Sequence, residues 1–186
     1  MTSPSRDPAA SAIAPPHLST EEVDELLSKT LIAKLATLDP SGSIHLVPMW
    51  YERVGSHIHI PTSHFTRKYH NLVRHPFASV MVDISRSGLD LRGVLIRGAV
   101  DLVEGDEAKA LNRSIHQRYV TAEGLQQLDV AAYLAEGDDA TIRVSMDRIV
   151  TWNNAGSSAG RALMASGNVR PLDGREEPRR DGDRSR

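Results

Sequence analysis

Apolar residues recur along the chain at two different periods. The first stripe follows Ser19-Thr-Glu-Glu22, where Ser19 is placed to cap a helix and Glu22 completes a capping box. Val23, Leu26 and Leu27 continue at helical spacing, so a short helix is predicted to end near Ser28. Leu31 to Leu38 is apolar and small. Asp39-Pro-Ser-Gly42 has the composition of a turn, and Ser43 to Tyr51 returns as a second strand, giving a hairpin. Pro48 has no N–H to give to a ladder, so its strand belongs at a sheet edge or carries a bulge. Arg53-Val-Gly-Ser56 then turns the chain into His57-Ile-His-Ile60, which alternates strictly.

Phe65, Tyr69, Leu72 and Val73 restore the helical period, and His75-Pro76 stops that helix after Arg74. Phe77 to Ile84 is a strand and Ser85 to Leu91 a loop. Arg92 to Glu104 alternates through Val94, Ile96, Val100 and Leu102. Asp106 to Tyr119 is helical, Asp129 to Leu134 forms a second short helix, and Ala140 to Trp152 is the last strand. About six antiparallel strands with short helices between them predict a closed, mainly β barrel, because closure removes vulnerable edges. The order is not an alternating βαβ series, and neither GxGxxG nor GxxxxGK[ST] occurs, which argues against a doubly wound nucleotide fold.

Composition marks off the ends. Residues 1–17 hold Pro4, Pro8, Pro15 and Pro16 among Ala and Ser and are expected to be a disordered tail. Residues 154–186 are expected to be a flexible, charged tail. Gly156, Gly160 and Gly167 make its first part a linker, in which Arg161-Ala-Leu-Met164 has the makings of a helical turn. Six Arg and five acidic residues crowd Arg170 to Arg186. Residues 18–153 are left as the folded domain.

The 186 residues carry a formal net charge of −2 and no cysteine, which excludes disulfides, thiolate metal sites and cysteine nucleophiles. Near-neutrality argues against a nucleic-acid partner. No apolar run approaches the roughly 20 residues that cross a bilayer, and Met1 to His17 has no apolar segment of the signal-peptide kind. The expectation is a soluble, cytoplasmic protein without a membrane partner. Its 18 Arg and four Lys supply anion-binding capacity without a basic total.

The stretch richest in chemistry is Pro61-Thr-Ser-His-Phe-Thr-Arg-Lys-Tyr-His-Asn71, which joins a strand to a helix. Thr62, Ser63 and Thr66 bring hydroxyls, Arg67 and Lys68 bring positive charge, and the helix start brings unpaired N–H groups, as a phosphate requires. The same pattern also describes a capped helix with solvated cations, and both readings stay open here. Five of the eight histidines fall between His57 and His75. His57 and His59 share a strand face, but nothing fixes a third metal ligand, so a polar outer face is preferred and no metal is assigned. Arg92 and Arg97 lie on opposite faces of one strand, where one can point to a ligand or an interface. Trp152 reads as core packing. Asp101, Glu104, Asp106 and Glu107 read as a solvated run at a helix start. No Ser/His/Asp triad or carboxylate pair is apparent.

Four segments in order carry a family resemblance: Leu31 to Tyr51, Thr66-Arg-Lys-Tyr-His-Asn-Leu72, Arg92-Gly-Val-Leu-Ile-Arg-Gly98 and Arg148-Ile-Val-Thr-Trp152. Together they resemble the pyridoxamine 5′-phosphate oxidase-like split-barrel flavoproteins, over roughly residues 20–153. The resemblance is closest to the actinobacterial branch that uses the deazaflavin coenzyme F420 rather than FMN. It implies a Greek-key split β-barrel homodimer with cofactor sites at the subunit interface. Carried over by motif, Val47, Pro48 and Met49 border the ring. Thr62, Ser63, Arg67, Lys68 and Asn71 surround the phosphate, and Arg92 lies near the cofactor or the partner subunit. The implied activity is an oxidoreductase in which reduced F420 gives hydride to a conjugated small molecule. The alternatives are an FMN-dependent oxidoreductase of the same fold and a non-enzymatic flavin- or haem-binding carrier, the haem suggested by the histidine cluster. Two departures stand out. Asn153 follows Trp152 where many relatives have Asp, and the Arg-containing C-terminal segment that pyridoxamine phosphate oxidases use on their substrate is missing. Oxidation of pyridoxamine phosphate itself is therefore disfavoured.

Overall fold

The computed structural model describes residues 16–137, 139–170 and 172. Of the tails expected at 1–17 and 154–186, residues 1–15, 171 and 173–186 lie outside the described residues. The chain divides into two units. The larger comprises His17–Asp83 and Gly93–Trp152, and the smaller holds Ile84–Arg92 and the residues from Asn153.

In the larger unit, helix α1 (Thr20–Ser28) has its full capping box. The Ser19 side chain accepts from Glu22 N, and the Glu22 carboxylate accepts from Ser19 N. Strands β1 (Ala33–Leu38) and β2 (Ile44–Met49) form the expected hairpin, and Gly42 turns it with φ of +84°. Strands β3 (Glu52–Val54) and β4 (His57–Thr62) form a second hairpin about Gly55, with φ of +58°. Helix α2 (Arg67–Arg74), strand β5 (Phe77–Ser85) and the long strand β6 (Leu91–Glu104) follow. Helices α3 (Gly105–Tyr119), α4 (Ala122–Leu125) and α5 (Leu128–Gly137) precede strands β7 (Ala140–Ser145) and β8 (Arg148–Asn153).

The strands are ordered β2-β1-β5-β6-β7-β4-β3, with β8 also on β6. The long β6 is thus shared between the β1 side and the β4 side of the sheet. Pro48 sits in β2, at one edge, as its missing N–H requires. Among the described residues, eight strands take the place of the about six read from the sequence. Of the expected turn Arg53–Ser56, the first two residues belong to the three-residue strand β3. The last apolar stretch breaks because Asp147 accepts from both Ser145 Oγ (2.7 Å) and Ala99 N (3.2 Å), which turns the chain out of β7.

The core follows from the period of two. Leu35, Ile58, Ile60, Val80, Val82, Val94, Ile96, Ile142 and Val144 are all buried, each side chain contributing about 1.5–3 kcal/mol. β4 is covered on both faces because α3 packs against β4 and β7. Two glycines permit close approach. A Cβ at Gly98 would run into the Ser145 carbonyl, and one at Gly93 would stand 2.5 Å from the Trp152 ring. Trp152 therefore packs onto β6, but it is only half-buried and lies outside the buried core in which the sequence predicts it. Arg118 of α3 donates to Leu27 O (3.0 Å) and Lys29 O, capping the end of α1, and lies 5.4 Å from the Tyr51 ring centroid. The Tyr51 hydroxyl donates to Leu27 O at 3.1 Å, and burial pushes its pKa up to about 12.

In the smaller unit, the segment expected to be a flexible linker carries a 3-10 turn (Asn154–Gly156) and helix α6 (Ser158–Ser166). Ser157 caps α6 by accepting from Gly160 N (2.9 Å), and Gly167 ends it at φ of +68°. Asn153 accepts from Gly156 N at 3.1 Å, so the amide at this position works as a cap. Arg92 Nε lies 3.8 Å from the carboxylate of the buried Asp90. Among the described residues, no helix is long and apolar enough to cross a membrane.

Candidate functional site

The loop from β4 into α2 is tied by a closed set of hydroxyl bonds. Thr66 Oγ1 donates to Ser63 O (2.8 Å) and, as the N-cap of α2, accepts from Tyr69 N. Its single proton is then used, so Thr62 Oγ1, 3.0 Å away, is the donor of the bond between them. Thr62 and Ser63 are both buried, and Ser63 Oγ accepts from Phe65 N at 3.3 Å. Asp139 clamps the loop from the head of β7. It accepts from His64 N at 2.9 Å and pairs with the His64 imidazole. Burial, the largest single influence, pushes its carboxyl up, but the bonds from His64 and Ser63 and the His64 charge together hold it below the usual range. Asn71, also buried, donates from Nδ2 to Thr37 Oγ1 at 3.0 Å.

The sequence grouped Thr62, Ser63, Arg67, Lys68 and Asn71 about one phosphate. The structure gives Thr62, Ser63 and Asn71 partners inside the fold, and it parts the two cations. Lys68 lines a cleft of about 290 Å³ together with Pro48, Met49, Trp50, Pro61 and Thr66, which α5 completes with Tyr133 and Leu134. Arg67 lines a different cleft, of about 540 Å³, with Asp39, His70, Asn71 and Arg74. Its Nε lies 3.8 Å from the Asp39 carboxylate, which bonds from Ser41 and then the Arg67 charge hold below its ordinary pKa. Successive helical positions do not face each other, so neighbours at the start of α2 serve different surfaces.

Of the residues expected to border the ring, Pro48 and Met49 reach the smaller cleft, while Val47 packs against the core. Arg92 belongs to the smaller unit, on Asp90. The histidines have separate surroundings. His57 and His59 stack at 6.3 Å, and His59 Nε2 accepts from Arg143 Nε at 3.3 Å. His64 is engaged by Asp139, and His70 lies in the Arg67 cleft. The supposedly solvated run is partly used as well, since Glu107 pairs with Arg143 and Glu104 accepts from the Tyr69 hydroxyl. Nothing local in the sequence marks Tyr133 or Asp139 at this end of the fold, because only tertiary structure brings α5 and the head of β7 there.

The smaller cleft thus combines an apolar wall, one ammonium group and the positive end of α2. That donor set suits a flat ring bearing an anionic arm.

The pyridoxamine 5′-phosphate oxidase family model matches residues 19–153, and the chain belongs to that family. No curated protein sequence matches it. Among solved structures it is similar to a conserved hypothetical protein from Mycobacterium tuberculosis, with 26% identity, a TM-score of 0.62, and 74% of this chain and 86% of that one covered. It is also similar to an F420 reductase, with 24% identity and a TM-score of 0.56 over 71% of this chain and 98% of that one. A haem storage protein from Vibrio cholerae shares the fold at 16% identity and a TM-score of 0.58, over 72% and 94% of the two chains. The larger unit has the mainly antiparallel, flavin-binding split-barrel fold of this family.

Proposed function

We propose that the protein is an oxidoreductase that binds the deazaflavin coenzyme F420 in the Lys68 cleft. The observation that carries this is the juxtaposition of Pro48, Met49 and Pro61 with Lys68 at the start of α2. Pro48 and Met49 hold the ring by apolar contact, and Lys68 with the helix start holds the phosphate. When bound and reduced, the cofactor supplies a hydride to a conjugated small molecule. The chain's own part is to bind, orient and exclude water, which is why hydride transfer needs no carboxylate pair. The resemblance to an F420 reductase supports the choice of cofactor.

We also propose that two copies associate over this face. Ile44 and Leu46, 65% and 62% exposed, alternate with Pro48 along β2 and form one apolar strip beside the cleft. A cleft of about 290 Å³ lies at the small end for a cofactor site. A second copy covering the strip would deepen it.

The test is a fluorescence titration of the purified chain with F420 and, separately, with FMN, alongside sedimentation to obtain the mass. Saturable quenching by F420 and a dimer mass are expected. Tight FMN binding without an F420 response would replace the cofactor, and no response to either would remove the reading.

A further inference from the structure

The Lys68 cleft has three kinds of wall, and one of its side chains has no task within the fold. Trp50 stacks face to face on Tyr119, with ring centroids 5.0 Å apart and planes 2° from parallel. Pro48, Met49 and Pro61 are held in strands. Tyr133 stands on α5 with 74% of its surface exposed, although it lines the cleft. Among the described residues it makes no ring contact, and its hydroxyl has no hydrogen-bond partner. The next residue, Leu134, is buried, so α5 is anchored beside Tyr133 while the phenol ring remains in water.

From this we infer that Tyr133 is the aromatic wall of the cofactor site that is not already stacked within the fold as Trp50 is, a positioning residue that stacks on the bound ring and selects for flat heteroaromatic ligands. The inference rests on the cofactor reading above. An aromatic face offset on another gains a preference beyond the area it buries, and tyrosine supplies that face with few rotatable bonds to immobilise. The proline and methionine walls offer only shape and dispersion. Tyr133 therefore distinguishes a planar ring from a puckered ligand of similar size.

Tyr133→Phe and Tyr133→Ala test this in the full chain. Each is titrated with F420 and with FMN, the circular dichroism induced in the bound ring is recorded, and thermal melts are run without ligand. Tyr133→Phe is expected to keep the wild-type dissociation constant and induced signal. Tyr133→Ala is expected to weaken binding about tenfold and to lose most of the induced signal. The melts should coincide, since the side chain is exposed. Wild-type affinity and signal in Tyr133→Ala would overturn the wall while leaving the cofactor reading standing. Equal weakening in Tyr133→Phe would place the effect on the hydroxyl and overturn the stacking. A wild-type chain that binds neither cofactor would overturn the parent reading and this one with it.

Discussion

Replacing Lys68 and Arg67 one at a time by alanine separates two arrangements that look alike in the sequence. Lys68 is half-buried and shares its cleft with Met49, Pro61 and Thr66. Arg67 has 69% of its side chain exposed, sits in the other cleft and has Asp39 at 3.8 Å. A cation about 4 Å from an anion gains about 4 kcal/mol at a protein surface and about 1 kcal/mol in bulk water. After desolvation, a hydrogen bond to a charged group contributes about 1.5–3 kcal/mol. Lys68→Ala should therefore raise the cofactor dissociation constant about 10- to 150-fold. The solvated Arg67, already opposed by Asp39, should cost at most about 1 kcal/mol, or about fivefold. Fluorescence titrations at low salt and at about 0.5 M salt read both effects, and the smaller one should fade with salt. If Arg67→Ala weakens binding as much as Lys68→Ala, both cations hold one anion and the division into two clefts is wrong.

Other outcomes follow from the packing. Gly98→Ala forces a methyl group onto the Ser145 carbonyl and should lower the melting temperature by about 3–10 °C, and an unchanged melt would contradict the β6–β7 approach. Asn71→Ala leaves the buried Thr37 hydroxyl without its partner and should cost about 1–3 kcal/mol in urea unfolding, with cofactor affinity within about threefold of wild type. Burial first, and then the Arg143 charge, hold the His59 imidazole below its ordinary value of 6.5. The unfolded chain takes up that proton first, so stability is full above 6.5 and falls as pH drops below it. Urea midpoints at about pH 7.5 and about pH 5.5 should differ less in His59→Gln than in wild type, and equal differences would clear His59 of the effect.

What could be read from the sequence was what is decided locally. The Ser19–Glu22 capping box, the Asp39–Gly42 turn and the alternation in β5 and β6 depend on neighbours within a few residues. Pro48 announced an edge for the same reason. β3 was hidden because three residues are too few to display a period, and the break after β7 was hidden because Asp147 bonds to Ala99, 48 residues away. For the site, residue types were legible but their commitments were not. The hydroxyls of Thr62, Ser63 and Thr66 do suit an anion, yet the loop consumes them. The divergence of Arg67 and Lys68 was available in principle, because adjacent residues on a helix face apart. Asp139 reaches His64 across 75 residues and left no local trace.

Pro48 also bears on strand-to-strand aggregation at the sheet edge. A strand at the end of a sheet is a template onto which any extended chain can hydrogen-bond, and β2 is long and apolar enough to be a hazard. With a pyrrolidine ring near its end, the free rim of β2 lacks a donor where an incoming strand would need one. Backbone-to-backbone extension is blocked there, while the side chains of Ile44 and Leu46 remain open to a partner of the right shape. The residue that borders the candidate site thus also biases the chain toward finite assembly and away from endless stacking.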